Sequence, residues 1–257
     1  MIDPSSTMLS IPVPPPSMEP ERIAIRAFNA VDDPQRCEQY IHEHTKVLED
    51  IGVFNALKPD TSWCTDPNVV VFVAEHPTLG MVAGIRLHKA SIDDLLPMQR
   101  SLQTLDGSII SILANLVENG NAEIAGLWNA HRFAGRGVPM LLMEACVAVA
   151  SRIGVGSMVT FIAEYVAPYA VFSGFEPMRS LADEGIFEYP VAGIRTHAMI
   201  LNDPLVLSAA ILTERHRILS LRLRPHQSRV ERPKHADLLV QYDLLEPLPV
   251  PSNAHAA

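Results

Sequence analysis

The sequence predicts a mixed α/β domain with an appendage at each end. Three observations predict it. Runs with strand and helix periodicity interleave in the order β-α-β-β-(αα)-β-α-β-α-β, which belongs to a sheet flanked by helices. The chain has 257 residues and is 48% hydrophobic, enough for a full core in one large domain, alone or with extensions. No internal repeat occurs, and no uncharged apolar stretch approaches the ~20 residues of a membrane span.

The first strand is RIAIRAF (22–28), where polar and apolar residues alternate. The first helix is expected over 32–52. Asp32 or Asp33 can cap it, Pro34 suits its first turn, and Gly52 can end it. Cys37, Tyr40, Ile41, His44, Val47, Leu48 and Ile51 recur at helical spacing along it. NVVVFVAEH (68–76), the turn PTLG and MVAGIRLHKA (81–90) read as an antiparallel hairpin. Residues 91–121 read as two helical stretches broken near Gly107. AEIAGLWNA (122–130) is the next strand, and VPMLLMEACVAVASRIG (138–154) is an apolar helix that tolerates Pro139 in its first turn. A strand at 157–165, a short helix at 167–175 and a late strand at 193–201 complete the series. Residues 203–223 read as a further helix outside it.

The organisation expected is therefore a Pro-rich, disordered or polyproline-like arm at 1–21, a domain at 22–202, and a C-terminal helix and tail at 203–257. The arm lacks the basic start and apolar run of a signal peptide. Cys37, Cys64 and Cys146 are widely spaced, with no CxxC pair. That pattern argues against a disulfide framework and a zinc site and fits a reducing compartment, so a cytoplasmic location is expected. A net charge of −9 argues against non-specific binding of the whole molecule to nucleic acid or a membrane surface. His42 and His44 stand two apart on a helix and face different ways, which is wrong for joint metal ligation. No metal is expected.

The segment NAHRFAGRGVPMLL (129–142) carries the chemistry. A strand, a turn with two glycines and a helix N-terminus form an anion-binding device. Unpaired amides and the helix dipole point at the ligand, and glycine lets the backbone approach it closely. The alternative is a plain strand–helix connection. A dinucleotide fingerprint is excluded because Met140 stands where its third glycine belongs, and no Gly-Lys-Ser/Thr of a P-loop is present.

Arg132-Phe-Ala-Gly135-Arg-Gly137 matches R-x-x-G-x-G and resembles the acyl-CoA pyrophosphate loop of the GNAT (Gcn5-related N-acetyltransferase) superfamily. The resemblance extends over 22–202. It takes in the strand with Glu123 before the loop, the apolar helix with Leu141 and Leu142 after it, and YAVFSGFEP (169–177). It implies a mostly antiparallel central sheet flanked by helices and splayed between the fourth and fifth strands. It also implies acetyl-CoA or another acyl-CoA as co-substrate. Its pyrophosphate would rest on amides of Phe133, Ala134, Gly135, Arg136, Gly137 and Val138, with charge from Arg132 and Arg136. The pantetheine arm would add at a bulge near Leu127, Trp128 and Asn129, though Trp128 also suits a core.

The reaction so implied is direct attack of a primary amine on an acyl thioester, with a base to take a proton and an acid for the thiolate. Glu123 is the first base candidate and Glu164 the second. Tyr169 is the acid candidate. It stands one residue before the position the family's tyrosine commonly takes, here Ala170, and one residue turns a helical side chain by about 100°. The acceptor is expected to be a small-molecule amine, reached through 32–66, 91–121 and a lid-length loop at 176–193.

Alternatives stay open. The 91–121 insert resembles that of relatives using long-chain acyl thioesters, such as N-acyl amino acid synthases, for which an acyl-carrier protein would be a partner. Residues 215–234 carry seven Lys/Arg against Glu231 alone, which suits an acidic partner or an ordinary solvated tail. A homodimer is a further assembly the resemblance allows. A GNAT-fold ligand-sensing module with weak catalysis is the non-enzyme reading.

Overall fold

The computed structural model describes residues 19–57, 60–233 and 237–245. Most of the expected N-terminal arm lies outside the described residues, as does the end of the tail. The chain runs β1 (Glu21–Asn29), α1 (Pro34–Asp50), α2 (Phe54–Leu57), β2 (Val69–His76) and β3 (Gly80–Lys89). It continues through α3 (Pro97–Leu102), α4 (Ser108–Val117), β4 (Asn121–Asn129), α5 (Val138–Ala150), β5 (Ser157–Ala163) and α6 (Ala167–Phe172). It ends with β6 (Glu176–Pro177), β7 (Ile186–Glu188), β8 (Arg195–Leu201), α7 (Leu212–Leu223), β9 (His226–Glu231) and β10 (Leu238–Asp243).

The strands form one mixed sheet in the order β6-β8-β5-β4-β3-β2-β1-β10-β9, with β7 also on β8. Only β4–β5 and β1–β10 pair in parallel; every other pair described is antiparallel. The fold class and the antiparallel hairpin at 68–90 match what the sequence implies.

Local chemistry explains the helices that flank the sheet. The Asp33 carboxylate accepts the Arg36 N–H at 3.0 Å, and Pro34 opens α1, so the N-terminal orphan donors are partly satisfied. α1 buries Cys37, Tyr40 and Leu48; Cys37 and Tyr40 meet Trp63, Trp128 and Val71 on one sheet face. α5 is apolar apart from Glu144 because it is buried almost all round: it lies against the opposite face of β2, β3 and β4 and under α7. A third apolar cluster, including Leu102, Leu113, Phe187 and Met178, sits beneath α3 and α4.

The C-terminal segment departs from the sequence reading. The helix begins at Leu212 rather than 203, and the chain beyond it is not a tail. β9 and β10 extend the main sheet, β10 pairing in parallel with β1 from Glu21↔Leu238 to Arg26↔Asp243. The alternation in LLVQYD is that of a strand, but its partner lies at the far end of the sequence. The basic stretch at 215–234 is engaged within the fold. Arg217 contacts Glu144, Arg222 donates to the Leu205 and Pro204 carbonyls, Arg229 contacts Glu231, and Arg232 pairs with Asp237. The insert is also shorter in helix than the sequence suggests, with a break between Leu102 and Ser108 at Gly107.

Candidate active site

β4 positions the candidate site. Its parallel pairing with β5 runs only from Asn121↔Ser157 to Ile124↔Thr160. The Thr160 hydroxyl donates to the Ile124 carbonyl at 2.8 Å, and beyond that point β5 pairs only with β8. Residues Ala125 to Asn129 thus leave β5 and present an unpaired strand edge, the splay between the fourth and fifth strands.

On its other side β4 carries a bulge. Arg86 pairs with Ala125 and Gly84 with Trp128, so β4 uses one more residue than β3 across this interval. The extra residue falls at Gly126–Leu127, overlapping the expected Leu127, Trp128 and Asn129 at Leu127. Gly126 has φ of +63°, and its carbonyl accepts a hydrogen bond from the Tyr40 hydroxyl. It is glycine for a second reason: a Cβ there would lie 2.6 Å from Arg86 Nη2. Gly126→Ala is expected to cost about 1–3 kcal/mol of stability from backbone strain alone. The midpoint of thermal unfolding should fall accordingly, because the strain and the displaced Arg86 act at one point.

Leu127 packs against the core on the α5 side of the sheet, whereas Trp128 is buried edge-to-face on Tyr40, 5.7 Å between centroids, in the α1-side core. Asn129 Nδ2 donates to the Phe133 carbonyl at 3.4 Å, tying the strand end to the turn.

The turn 130–137 keeps its left-handed glycines, with Gly135 at φ +80° and Gly137 at +76°. Space around Gly135 is open, whereas a Cβ on Gly137 would lie 2.7 Å from Pro233 Cβ in the β9–β10 connection. The Phe133 and Ala134 N–H groups donate to the carbonyls of Ala130 and His131, and the Phe133 ring is buried in the core. Among the described residues no acceptor takes the N–H groups of Gly135, Arg136, Gly137 or Val138. Of the six amides from Phe133 to Val138, two are thus taken within the turn and four are not. The two arginines hold the turn from outside. Arg132 bonds Glu43 at 3.0 Å and the Met81 carbonyl at 2.8 Å. Arg136 pairs with Glu21 and lies over the Phe133 ring, 4.3 Å from its centroid.

A cleft of about 1490 Å³ joins these parts; Glu123, Trp128, Gly135, Gly137 and Tyr169 all line it. Glu123 is 2% exposed, and burial pushes its carboxyl up to about 8. The Met98 N–H donates to its Oε2 at 2.7 Å and, with the fields of Arg86 and Arg100, opposes that rise. Glu164 also lines the cleft, but it is half-exposed and paired with Arg195 at 3.0 Å. Tyr169 is half-buried on the cleft wall while Ala170 is fully buried in the core, so the one-residue shift places the tyrosine, not the alanine, toward the cavity.

Sequence reasoning misses four residues here: Tyr40, Arg86, His88 and Gly126. Arg86 and His88 sit at alternate positions of β3, and the single signal for them is a pair of polar residues interrupting an apolar strand. His88 is buried, its Nε2 has no partner, and burial with the nearby arginines holds its pKa well below the usual range.

No family model matches the sequence, and no curated protein matches it. Solved structures do match its fold. FeeM, an N-acyl amino acid synthase from uncultured soil microbes, superposes with a TM-score of 0.52 at 13% identity, over 76% of this chain and 98% of its own. TofI, solved in a ternary complex with an inhibitor and MTA, superposes with a TM-score of 0.51 at 11% identity, over 75% and 96%. With its mixed sheet, the splay after Ile124 and the turn leading into α5, the chain has the GNAT fold.

Proposed function

We propose that the protein is an N-acyltransferase that moves an acyl group, acetyl in the simplest case, from acyl-CoA to a primary amine by direct attack. The observation that carries the reading is a buried Glu123 carboxyl, raised to about 8, in one cleft with the Gly126 bulge and the open amides of 135–138.

The residues fit the donor. Four N–H groups without acceptors at the start of α5 suit a pyrophosphate. The free edge of β4 beyond Ile124 suits an extended pantetheine arm, and the bulge amides suit an oxyanion as charge develops on the thioester carbonyl. The amine nitrogen attacks the carbonyl carbon, the new C–N bond forms and the C–S bond breaks. Glu123 takes the proton the nitrogen loses, directly or through water, and Tyr169 gives one to the departing thiolate. A base near 8 is well matched to an amine that must shed a proton near neutral pH.

A second reading rests on size. The cleft exceeds the roughly 300–1,000 Å³ of common ligand pockets, which favours a longer acyl chain, delivered by CoA or by an acyl-carrier protein.

Thermal unfolding with CoA, paired with thiol release over a panel of amines and acyl lengths, tests both. Stabilisation by CoA and turnover with an amine are expected, and rates rising with chain length would select the second reading. Stabilisation without turnover would mean a ligand-binding module. No response to any CoA or carrier thioester overturns the proposal.

A further inference from the structure

Three arginines line the cleft, and two are neutralised. Arg100 pairs with Asp60 at 2.8 Å and Asp94 at 2.6 Å, and Arg195 pairs with Glu164. Arg86 has no carboxylate within ion-pair distance among the described residues. Its guanidinium lies over the Trp63 ring, 4.4 Å from the centroid, and beside Gly126. Its Nε is buried without a hydrogen-bond partner. The residue is partly buried and its side chain also meets the Tyr40 hydroxyl, and a stacked guanidinium presents a planar fork suited to a carboxylate. Two residues along the same face of β3, the buried His88 offers an Nε2 that nothing satisfies. The nearby Glu123, raised to about 8, is largely protonated near neutral pH and does not neutralise Arg86.

We infer that Arg86, assisted by His88, is the specificity-determining anchor for a carboxylate on the acceptor, so that the acceptor is an amino acid rather than a simple amine. Register supports the pairing of roles. Arg86 stands opposite Ala125 and His88 opposite Glu123, so Arg86 and Glu123 are diagonal neighbours on one face of the sheet. A carboxylate on Arg86 leaves an amine on the same or an adjacent carbon facing Glu123. Gly126, with no Cβ, lets the guanidinium lie directly against the β4 backbone and so fixes the anchor in place.

The inference rests on the acyltransferase reading, and the two can be tested apart. Acylation of L-amino acids is compared with that of their α-amides, which keep the amine and side chain but lose the negative charge. Thermal stabilisation by both series is measured in parallel. In the unaltered protein the acids are expected to exceed the amides by tenfold or more in kcat/KM. Arg86→Met should erase that preference, and Arg86→Lys should retain part of it. Stabilisation by CoA, unchanged in Arg86→Met, shows that the fold and donor site are intact. Equal use of acids and amides, use of neither while CoA binds, or a preference that survives Arg86→Met would overturn the inference. Failure of CoA to bind the unaltered protein would count against the acyltransferase reading alone. Selective stabilisation by the acids, lost in Arg86→Met, would then still support Arg86 as the carboxylate anchor.

Discussion

Glu123→Gln is expected to lower kcat by about 10²–10⁴-fold, the usual contribution of a positioned general base. The side chains are nearly isosteric, and the amide oxygen can still accept the Met98 N–H, so the loss would come from the missing proton acceptor. The pH profile separates this from misfolding. With the Glu123 carboxyl near 8, the rate should climb as pH rises through about 8 and level off above it, and the variant should lack that limb. Stability should move the opposite way. An ordinary glutamate titrates near 4.5, so between 4.5 and 8 the folded protein holds a proton that the unfolded chain has released. The unaltered protein therefore loses stability as pH rises through that window, on the order of 3–5 kcal/mol in all. Urea unfolding at pH 5 and pH 8 should show the glutamine variant similar at the first and distinctly more stable at the second. Equal pH slopes for both proteins would refute the placement of this proton.

The largest stability effect is expected at Arg217. Its guanidinium meets Glu144 of α5 at 3.0 Å, Glu231 of β9 at 2.9 Å and Glu214 of its own helix at 3.4 Å. Glu144 is fully buried, and Glu231 also accepts from the Tyr242 hydroxyl at 2.9 Å. Burial and the adjacent Glu214 push the Glu144 carboxyl well up, so a proton and the two arginines, 217 and 229, together balance three acids. Removing one cation leaves buried negative charge with too little compensation. Arg217→Met should cost about 3–5 kcal/mol, read as a lower urea midpoint. Adding Glu214→Gln to that variant should recover part of the loss, because it removes one of the acids left short of a cation. An unchanged midpoint in the single variant would mean that this network does not hold α7 and β9 to α5.

How much of the molecule is legible in its sequence depends on the range of the forces involved. The α1 cap at Asp33, the hairpin at 68–90 and the turn ahead of α5 depend on neighbours a few residues away, and each is readable. Glu123 is readable as the sole acid of its strand. Its burial is not, because that depends on α3 folding over it. The bulge can be placed close to its position, but Gly126 gives no local sign: its need for glycine comes from Arg86, on another strand. Arg86 itself looks like any arginine in a strand, and nothing local shows that it lacks an acid. The arginines of the turn stand out by their charge, yet both are engaged, Arg132 with Glu43 and Arg136 with Glu21, 89 and 115 positions away. The strands β9 and β10 escape a local reading for the same reason in stronger form.

The pairing of β10 with β1 bears on the order in which the molecule can be assembled. Arg26 and Asp243, in contact across these two strands, are separated by 217 positions. During synthesis β1 leaves the ribosome before β10 and can pair with β2, but its outer edge must wait until a partner 217 positions further on has been made. Closing so long a loop is slow, and a waiting strand edge invites wrong partners. Completion of the sheet, burial of the Arg217 cluster and the seating of Pro233 against Gly137 all wait for β9 and β10 to emerge. The turn ahead of α5 thus gains its backing only after β4 and α5 are in place, and a ribosome-bound intermediate would hold β4 before Pro233 closes over Gly137.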